Sequence, residues 1–170
     1  MLFFHLAGVT LPESKKKGFK QIEDELGQLS TRFSNNLLDA THAWRKQITE
    51  VEQLSGLPEL ALQTAAEAAR QKQLEGYLLT LDAPCYVAVM TYADDENLRQ
   101  EIYTAYNTRA SDQSGSDPQW NNETVMQDIL SLRQEQAVLL GYANYAEVSL
   151  AKKMAEQPDQ VMQFLEDLLA

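Results

Sequence analysis

Apolar residues recur at helical spacing along most of the chain. After Pro12 they fall at every third or fourth position on one face, at Phe19, Ile22, Leu26, Leu29, Phe33 and Leu37. With Pro12 suited to a first helical turn, this spacing predicts a helix of about 28 residues, roughly 42 Å long. A helix of that length suits a large helical array better than a compact bundle.

Two short segments, residues 43–49 and 77–81, lose the helical period and are candidate strands. Between them, the alanine-rich stretch 59–75 predicts a helix that begins after Pro58, with Gly76 as its expected C-terminal cap. The two segments are candidates to pair as a small β-hairpin flanking that helix.

Capping residues mark the helices of the second half. Asp94 is the expected N-cap of one helix, and Asn122 is the expected N-cap of the next, which ends at Gly141. Asn144 opens a short helix to about residue 155, and Pro158 begins the last one. Residues 111–121 form the most polar stretch, of a length typical of lids, binding loops or disorder.

Composition supports the same fold class. The chain has 170 residues, of which 24 are Leu, 19 Ala, 16 Gln and 15 Glu, whereas Val and Ile together number 12. These are strong helix formers, so we expect an all-α fold with at most one short β-hairpin, near residues 44–49 and 77–81. Residues 1–170 are expected to form a single helical segment, a partial domain.

Both ends of the chain are apolar. The first eleven residues are rich in Leu and Phe, and the apolar face of the last helix continues to residue 170 without a capping residue. Such faces favour a piece of a larger protein whose neighbours are missing. The alternative is that both ends pack on this chain's own core.

The net charge of −11 makes nucleic acid and anionic membranes poor partners. No apolar stretch approaches the eighteen or so residues that would span a bilayer, and we expect a cytoplasmic protein. His5 and His42 lie far apart and do not form His-Glu-x-x-His, so no zinc site is expected. Cys85 follows Pro84 at a helix start, where an inert thiol is favoured over a nucleophile. We therefore assign no catalytic, cofactor-binding or metal-binding residue in this chain.

Six phrases, taken in order, resemble the thimet oligopeptidase family of zinc metallopeptidases, over about residues 6–169. They are SNNLLDAT at 34–41, SGLP at 55–58, GYLLTLD at 76–82 with Pro84, RQEIY at 99–103 with Tyr106, TRASD at 108–112 and LGYANYAE at 140–147. Any one of them alone would be weak, and their agreement as an ordered set makes the resemblance specific.

The resemblance implies a large, mostly helical peptidase whose two halves enclose a channel that admits short peptides. In that family, zinc is held by His-Glu-x-x-His and a downstream glutamate, which lie C-terminal to the matched region. The resemblance therefore implies that the full-length parent uses zinc to cleave peptides, whereas this stretch forms part of one channel wall and packs on the C-terminal catalytic half. This chain alone is expected to be inactive.

Contacts to peptide are first expected at Arg109 and in the loop 111–121. For Arg109, a structural salt bridge or a helix C-terminal cap is the alternative, and the more frequent, role. For the whole chain, the alternative is an independent helical module that binds partner helices or forms a homodimer. Self-association through the apolar ends is expected.

Overall fold

The computed structural model describes residues 1–115 and 117–169, and these residues are mainly helical with one pair of strands. The elements are α1 (Leu2–Leu6), α2 (Glu13–Ala43), β1 (Arg45–Ile48), α3 (Glu59–Gln71), β2 (Tyr77–Thr80), α4 (Ala83–Tyr92), α5 (Glu96–Asn107), α6 (Glu123–Leu139), α7 (Tyr145–Leu150) and α8 (Pro158–Leu169). Short 3-10 turns lie at Val51–Leu54 and Pro118–Trp120. The predicted fold class is confirmed.

Helix α2 carries the predicted apolar stripe and has 31 residues, slightly more than expected. Phe19 and Ile22 are buried, and Leu26 and Phe33 on the same face are half-buried. Burial of this face stabilises the helix. The opposite face carries the charged residues 15–17 and 23–25 and faces water.

Strands β1 and β2 confirm the predicted pairing. They run antiparallel, with Arg45 opposite Thr80 and Ile48 opposite Tyr77. Helix α3 connects them and packs against β2, whose Leu78 and Leu79 are both buried. A two-stranded sheet is marginal alone, so this packing is what stabilises it.

The predicted end of the α3 helix is wrong. The helix ends at Gln71, and Gln73 takes a left-handed conformation with φ 58° while the Leu74 N–H donates to the Ala69 carbonyl at 3.0 Å. This arrangement closes the helix in the way that glycine usually does. Gly76 has another role, since a Cβ there would lie 2.3 Å from the carbonyl oxygen of Ile48.

The predicted N-cap of α5 is wrong by one residue. The Asp95 carboxylate, and not Asp94, accepts the N–H groups of Asn97 at 2.9 Å and Leu98 at 3.3 Å. Asp94 instead accepts the hydroxyl of Ser55 at 2.8 Å. Either of the adjacent aspartates could cap this helix. Because Asp94 is bonded to Ser55, Asp95 is the one that caps it.

The start of α6 differs in the same way. Asn121, and not Asn122, accepts the Glu123 N–H, at 2.8 Å. Asn122 is 2% exposed, donates to the Phe33 carbonyl at 3.0 Å and accepts the Asn36 amide at 2.9 Å. The sequence pattern identified the cap region but not which asparagine turns inward.

The later boundaries agree more closely. Gly141, with φ 85°, follows α6 as predicted, and Asn144 caps α7 by accepting the Glu147 N–H at 3.1 Å. Helix α7 is shorter than predicted and ends at Leu150. Pro158 begins α8 as predicted.

The described residues form two compact units. The first contains Met1–Arg32 with the described residues from Thr124 onward, and the second contains Phe33–Glu123. The core of the first unit includes the buried residues Leu11, Phe19 and Leu140. The larger core of the second unit surrounds Leu79, Leu81, Val89, Leu98 and Ile102.

The apolar ends behave differently from one another. At the start of the chain, Leu11 is buried and His5 Nε2 lies 2.9 Å from the Leu140 carbonyl oxygen, whereas Phe3 is 70% exposed. In α8, no described residue is buried, and Leu168 is 68% exposed. The first segment therefore packs partly on its own unit, and α8 presents an open apolar face.

Replacing Gly56 tests how tightly the turn before α3 is packed. Its φ is 87°, and a Cβ would lie 2.1 Å from the Tyr92 carbonyl oxygen. We expect Gly56→Ala to lower the free energy of unfolding by about 3 kcal/mol or more, because left-handed strain and a backbone clash add. Urea unfolding followed by circular dichroism measures this.

Gly115 is the matched control. It lies in the same unit with φ 63°, but a Cβ there meets nothing within 4 Å. Gly115→Ala should therefore cost only about 1 to 2 kcal/mol of left-handed strain. Equal losses for the two variants would contradict the packing explanation.

Candidate functional site

Arg109 is held rigidly just after the end of α5. Its Nε donates to the Tyr106 carbonyl at 2.6 Å, and its Nη1 donates to the Thr41 hydroxyl at 3.1 Å. The guanidinium lies 3.5 Å from the centre of the Tyr106 ring, which itself stacks on Tyr86 at 3.8 Å. Ala110 follows with φ 53°, which turns the chain away from the helix axis. These contacts hold the guanidinium in one position.

These contacts decide between the structural roles expected for Arg109. The bond to Tyr106 satisfies a carbonyl in the last turn of α5, so the helix-capping role is confirmed. Within residues 1–115 and 117–169, no carboxylate oxygen lies within 4.0 Å of Arg109, so the structure shows no salt bridge there.

Arg109 forms part of the wall of a pocket of about 430 Å³ within the second unit, called the arginine pocket below. The pocket lies among the C-terminal end of α2, the start of β1, α5 and the described loop residues 114, 115, 117 and 120. Its described lining is Ala40, Ala43, Trp44, Arg45, Leu81, Ala105, Arg109, Ser114, Gly115, Asp117 and Trp120. The structure therefore brings together the two places where the sequence suggested peptide contacts.

The pocket combines indole surface with positive charge. Trp44 and Trp120, the only tryptophans of the sequence, are both half-buried in its lining. Arg45 and Arg109 are its two cations, and Asp117 is the one carboxylate in its described lining. Such a surface can hold an anionic group beside an apolar or planar one.

Asp117 is itself engaged with the loop. Its carboxylate accepts the Gln119 N–H at 3.0 Å and the Gln119 side-chain amide at 2.8 Å, which caps the turn Pro118–Trp120. These bonds fix the position of the carboxylate within the loop. Sequence reasoning included Trp120 within the loop 111–121 but missed Trp44 and Arg45 as pocket residues. The only signal available was that the chain has just two tryptophans.

A second cavity in the same unit is mainly apolar. This groove of about 450 Å³ lies among α3, β2 and α4. Its lining includes Leu60, Ala61, Ala65, Val89 and the half-buried Cys85. Because Leu60 is 75% exposed at its edge, the groove is open to solvent.

Cys85 has the electrostatics of an inert thiol. Burial raises its pKa above the ordinary value of 9.0, outweighing the Thr80 N–H that approaches the sulfur at 3.5 Å and lowers the pKa. The nearby Asp82 carboxylate raises it further. A thiol that stays protonated near neutral pH is a poor nucleophile, in agreement with the sequence interpretation.

The two histidines lie in unrelated surroundings. His5 Nδ1 lies 2.9 Å from the Thr10 hydroxyl, and its Nε2 contacts the Leu140 carbonyl. His42 Nε2 lies 4.0 Å from the Asp82 carboxylate, and both side chains are exposed. In the part of the chain that the structure describes, no group of three or more His, Cys, Asp or Glu is placed to hold a metal ion. None of the described helices is both long and apolar enough to cross a membrane.

Comparison with known proteins finds a family match in the C-terminal half of the sequence. Residues 89–170 match the model of peptidase family M3. The full sequence is 52% identical to oligopeptidase A of Escherichia coli, over 165 residues that cover 97% of this chain and 24% of the relative. It is 45% identical to a probable cytosolic oligopeptidase A of Arabidopsis thaliana, covering 94% of this chain and 23% of the relative.

A more distant relative aligns with a similar share of the chain. Dipeptidyl carboxypeptidase of Escherichia coli is 29% identical over 98% of this chain and 24% of its own length. The chain thus spans about a quarter of the length of the curated relatives it matches.

The raised pKa of the Cys85 thiol predicts that the free energy of unfolding depends on pH. In the unfolded chain the thiol ionises near pH 9, whereas in the folded chain its raised pKa keeps it protonated, so the unfolded state releases a proton that the folded state retains. Stability should therefore fall as pH rises above about 9, by at most about 1.4 kcal/mol per pH unit from this group. Urea unfolding of the wild type from pH 7 to 10.5 measures the slope.

Cys85→Ala is the reference for that slope. It lacks the thiol but keeps every other titrating group, so its stability should fall less steeply above pH 9. Parallel pH curves for the two proteins would show that the thiol is not desolvated by the fold.

Proposed function

We propose that this chain, whose residues 89–170 match peptidase family M3, is a non-catalytic channel-wall segment of an oligopeptidase A-like zinc metallopeptidase that hydrolyses short peptides. The longer enzyme is called the parent below. The observation that carries the proposal is the 52% identity to oligopeptidase A across 97% of the chain. Identity at this level over 165 residues supports a shared fold for this stretch.

The chemistry of cleavage belongs to other residues of the parent. The 170 residues contain no His-Glu-x-x-His, and the residues that the structure describes include no three-ligand metal cluster. The residues present therefore do not fit the zinc ion of the family. We assign zinc to the parent, and we propose that this chain alone neither holds it in the family manner nor cleaves peptides.

Two features of the helices support the wall role. Helix α2 is a long element of 31 residues, and the open apolar face of α8 offers a surface for neighbouring elements of the parent. The proposed neighbours are the C-terminal catalytic half, which packs on the segment, and short peptides in the channel. One relative is named a cytosolic enzyme, and the proposal extends that compartment to this chain.

A segment exchange tests the proposal. The corresponding stretch of the Escherichia coli oligopeptidase A is replaced by this chain, and cleavage of a fluorogenic short peptide and zinc content are measured. We expect the chimera to retain kcat/KM within about tenfold, which is about 1.4 kcal/mol of activation free energy. The isolated 170-residue chain should show less than stoichiometric zinc and no turnover.

Two controls sharpen this test. A chimera carrying Gly56→Ala should lose activity together with thermal stability, because the segment then folds poorly, whereas Gly115→Ala should lose far less of either. Stoichiometric zinc with turnover in the isolated chain would refute the assignment of catalysis to other residues. A folded, zinc-loaded but inactive chimera would refute the wall role.

The alternative function, a helical interaction module or homodimer, is favoured by one observation. The face of α8 that carries Phe164, Leu165 and Leu168 is exposed, with Phe164 at 61%. Apolar side chains at this spacing on one helix face are typical of helix-in-groove partners.

Sedimentation of the isolated chain and of the chimera separates the two functions. We expect the isolated chain to self-associate through α8, and Phe164→Ser with Leu168→Ser to weaken that association at least about tenfold, since two large apolar side chains leave the interface. Gln163→Ser on the opposite face is the matched control. The chimera should be monomeric because the parent covers α8, and a chimera that still dimerises through α8 would favour the module.

A further inference from the structure

We propose that the arginine pocket binds the terminal carboxylate of a short peptide, with the adjacent apolar side chain against its indoles. The inference rests on the proposed function only in that short peptides are the molecules brought to this surface. The pocket itself is formed by residues of the second unit alone.

The first support is charge. The chain has a net charge of −11, yet the described lining of this pocket includes two arginines and one aspartate, which is a local excess of positive charge. An anion is therefore attracted here and repelled by most of the remaining surface.

The second support is the state of Arg109. Nε and Nη1 have described partners, so two of its five N–H groups are used in holding the side chain in place. Its stacking on Tyr106 fixes the plane of the guanidinium. A fixed, half-buried guanidinium without a carboxylate partner among the described residues loses little conformational freedom on binding an anion.

The third support is the apolar part of the lining. Trp44 and Trp120 provide aromatic surface, and Leu81 and Ala105 add aliphatic surface. A volume of about 430 Å³ accommodates one large side chain and its carboxylate. A small inorganic anion would leave the indoles unused, so a carboxylate next to an apolar side chain fits better.

Tryptophan fluorescence reports on this pocket directly, because both tryptophans of the sequence line it. The probe is the tripeptide Ala-Ala-Phe with a free carboxylate, titrated into the 170-residue chain. We expect a saturable change in emission. The same peptide with a C-terminal amide should bind at least about tenfold more weakly, since it cannot form charge-assisted hydrogen bonds.

Variants locate the interaction. Arg45→Gln and Arg109→Gln should each weaken binding of the acid peptide about tenfold while leaving the amide nearly unchanged. Arg70→Gln is the matched control, because it removes the same charge from an exposed pair with Glu67 on α3 in the same unit. Arg45 is exposed and contributes no described side-chain bond, so its variant keeps the test valid if loss of the Arg109 cap disturbs folding.

Three outcomes overturn the inference: equal affinity for acid and amide, equal weakening by Arg70→Gln, or no fluorescence response to either peptide. Because the active chimera does not depend on this pocket being occupied, cleavage without peptide-dependent fluorescence would refute the pocket and leave the wall role standing. Binding of the peptide carboxylate together with a folded but inactive chimera would refute the wall role and leave the pocket standing.

Discussion

Hydrogen bonds to the C-terminal part of α2 hold the second unit together. Asn122 donates to the Phe33 carbonyl and accepts the Asn36 amide, while Arg109 donates to Thr41 further along the same helix. The bond between Asn36 and Asn122 is buried, where an unmade bond costs about 1 to 3 kcal/mol. The bonds of Asn122 fix the residues just before α6, and the Arg109 bond fixes the end of α5, against the C-terminal part of α2. The arginine pocket forms where these segments meet.

The parts of the fold that depend on local spacing could be predicted from the sequence. The apolar stripe of α2 and the loss of helical period at the strands were sufficient, because burial of one face dominates local structure. Boundaries failed where neighbouring residues compete for one role. Asp94 and Asp95, or Asn121 and Asn122, can each cap a helix, and only a tertiary partner decides which of them does. The single-segment organisation stays a prediction beside the two compact units.

The candidate site could be predicted only in part for the same reason. Arg109 and the loop 111–121 are close in sequence, whereas Trp44 and Arg45 are distant from them and lie where α2 gives way to β1, which pairs with β2. That pairing sets a register, and register is a property of two distant segments, which no local pattern contains. The family resemblance indicated peptide chemistry but carried no residue role into this stretch.

The arginine pocket is also where local stability and binding conflict. A half-buried guanidinium is less well solvated than an exposed one, and a carboxylate partner from the chain would ordinarily offset that loss. Here the capping bond to Tyr106 and the aromatic stack compensate part of it without neutralising the charge. An acidic chain with abundant carboxylates has many ways to pair an arginine. A cation that is fixed by neutral groups instead keeps its charge unpaired, and this preorganisation is what the proposed binding of an anion would use.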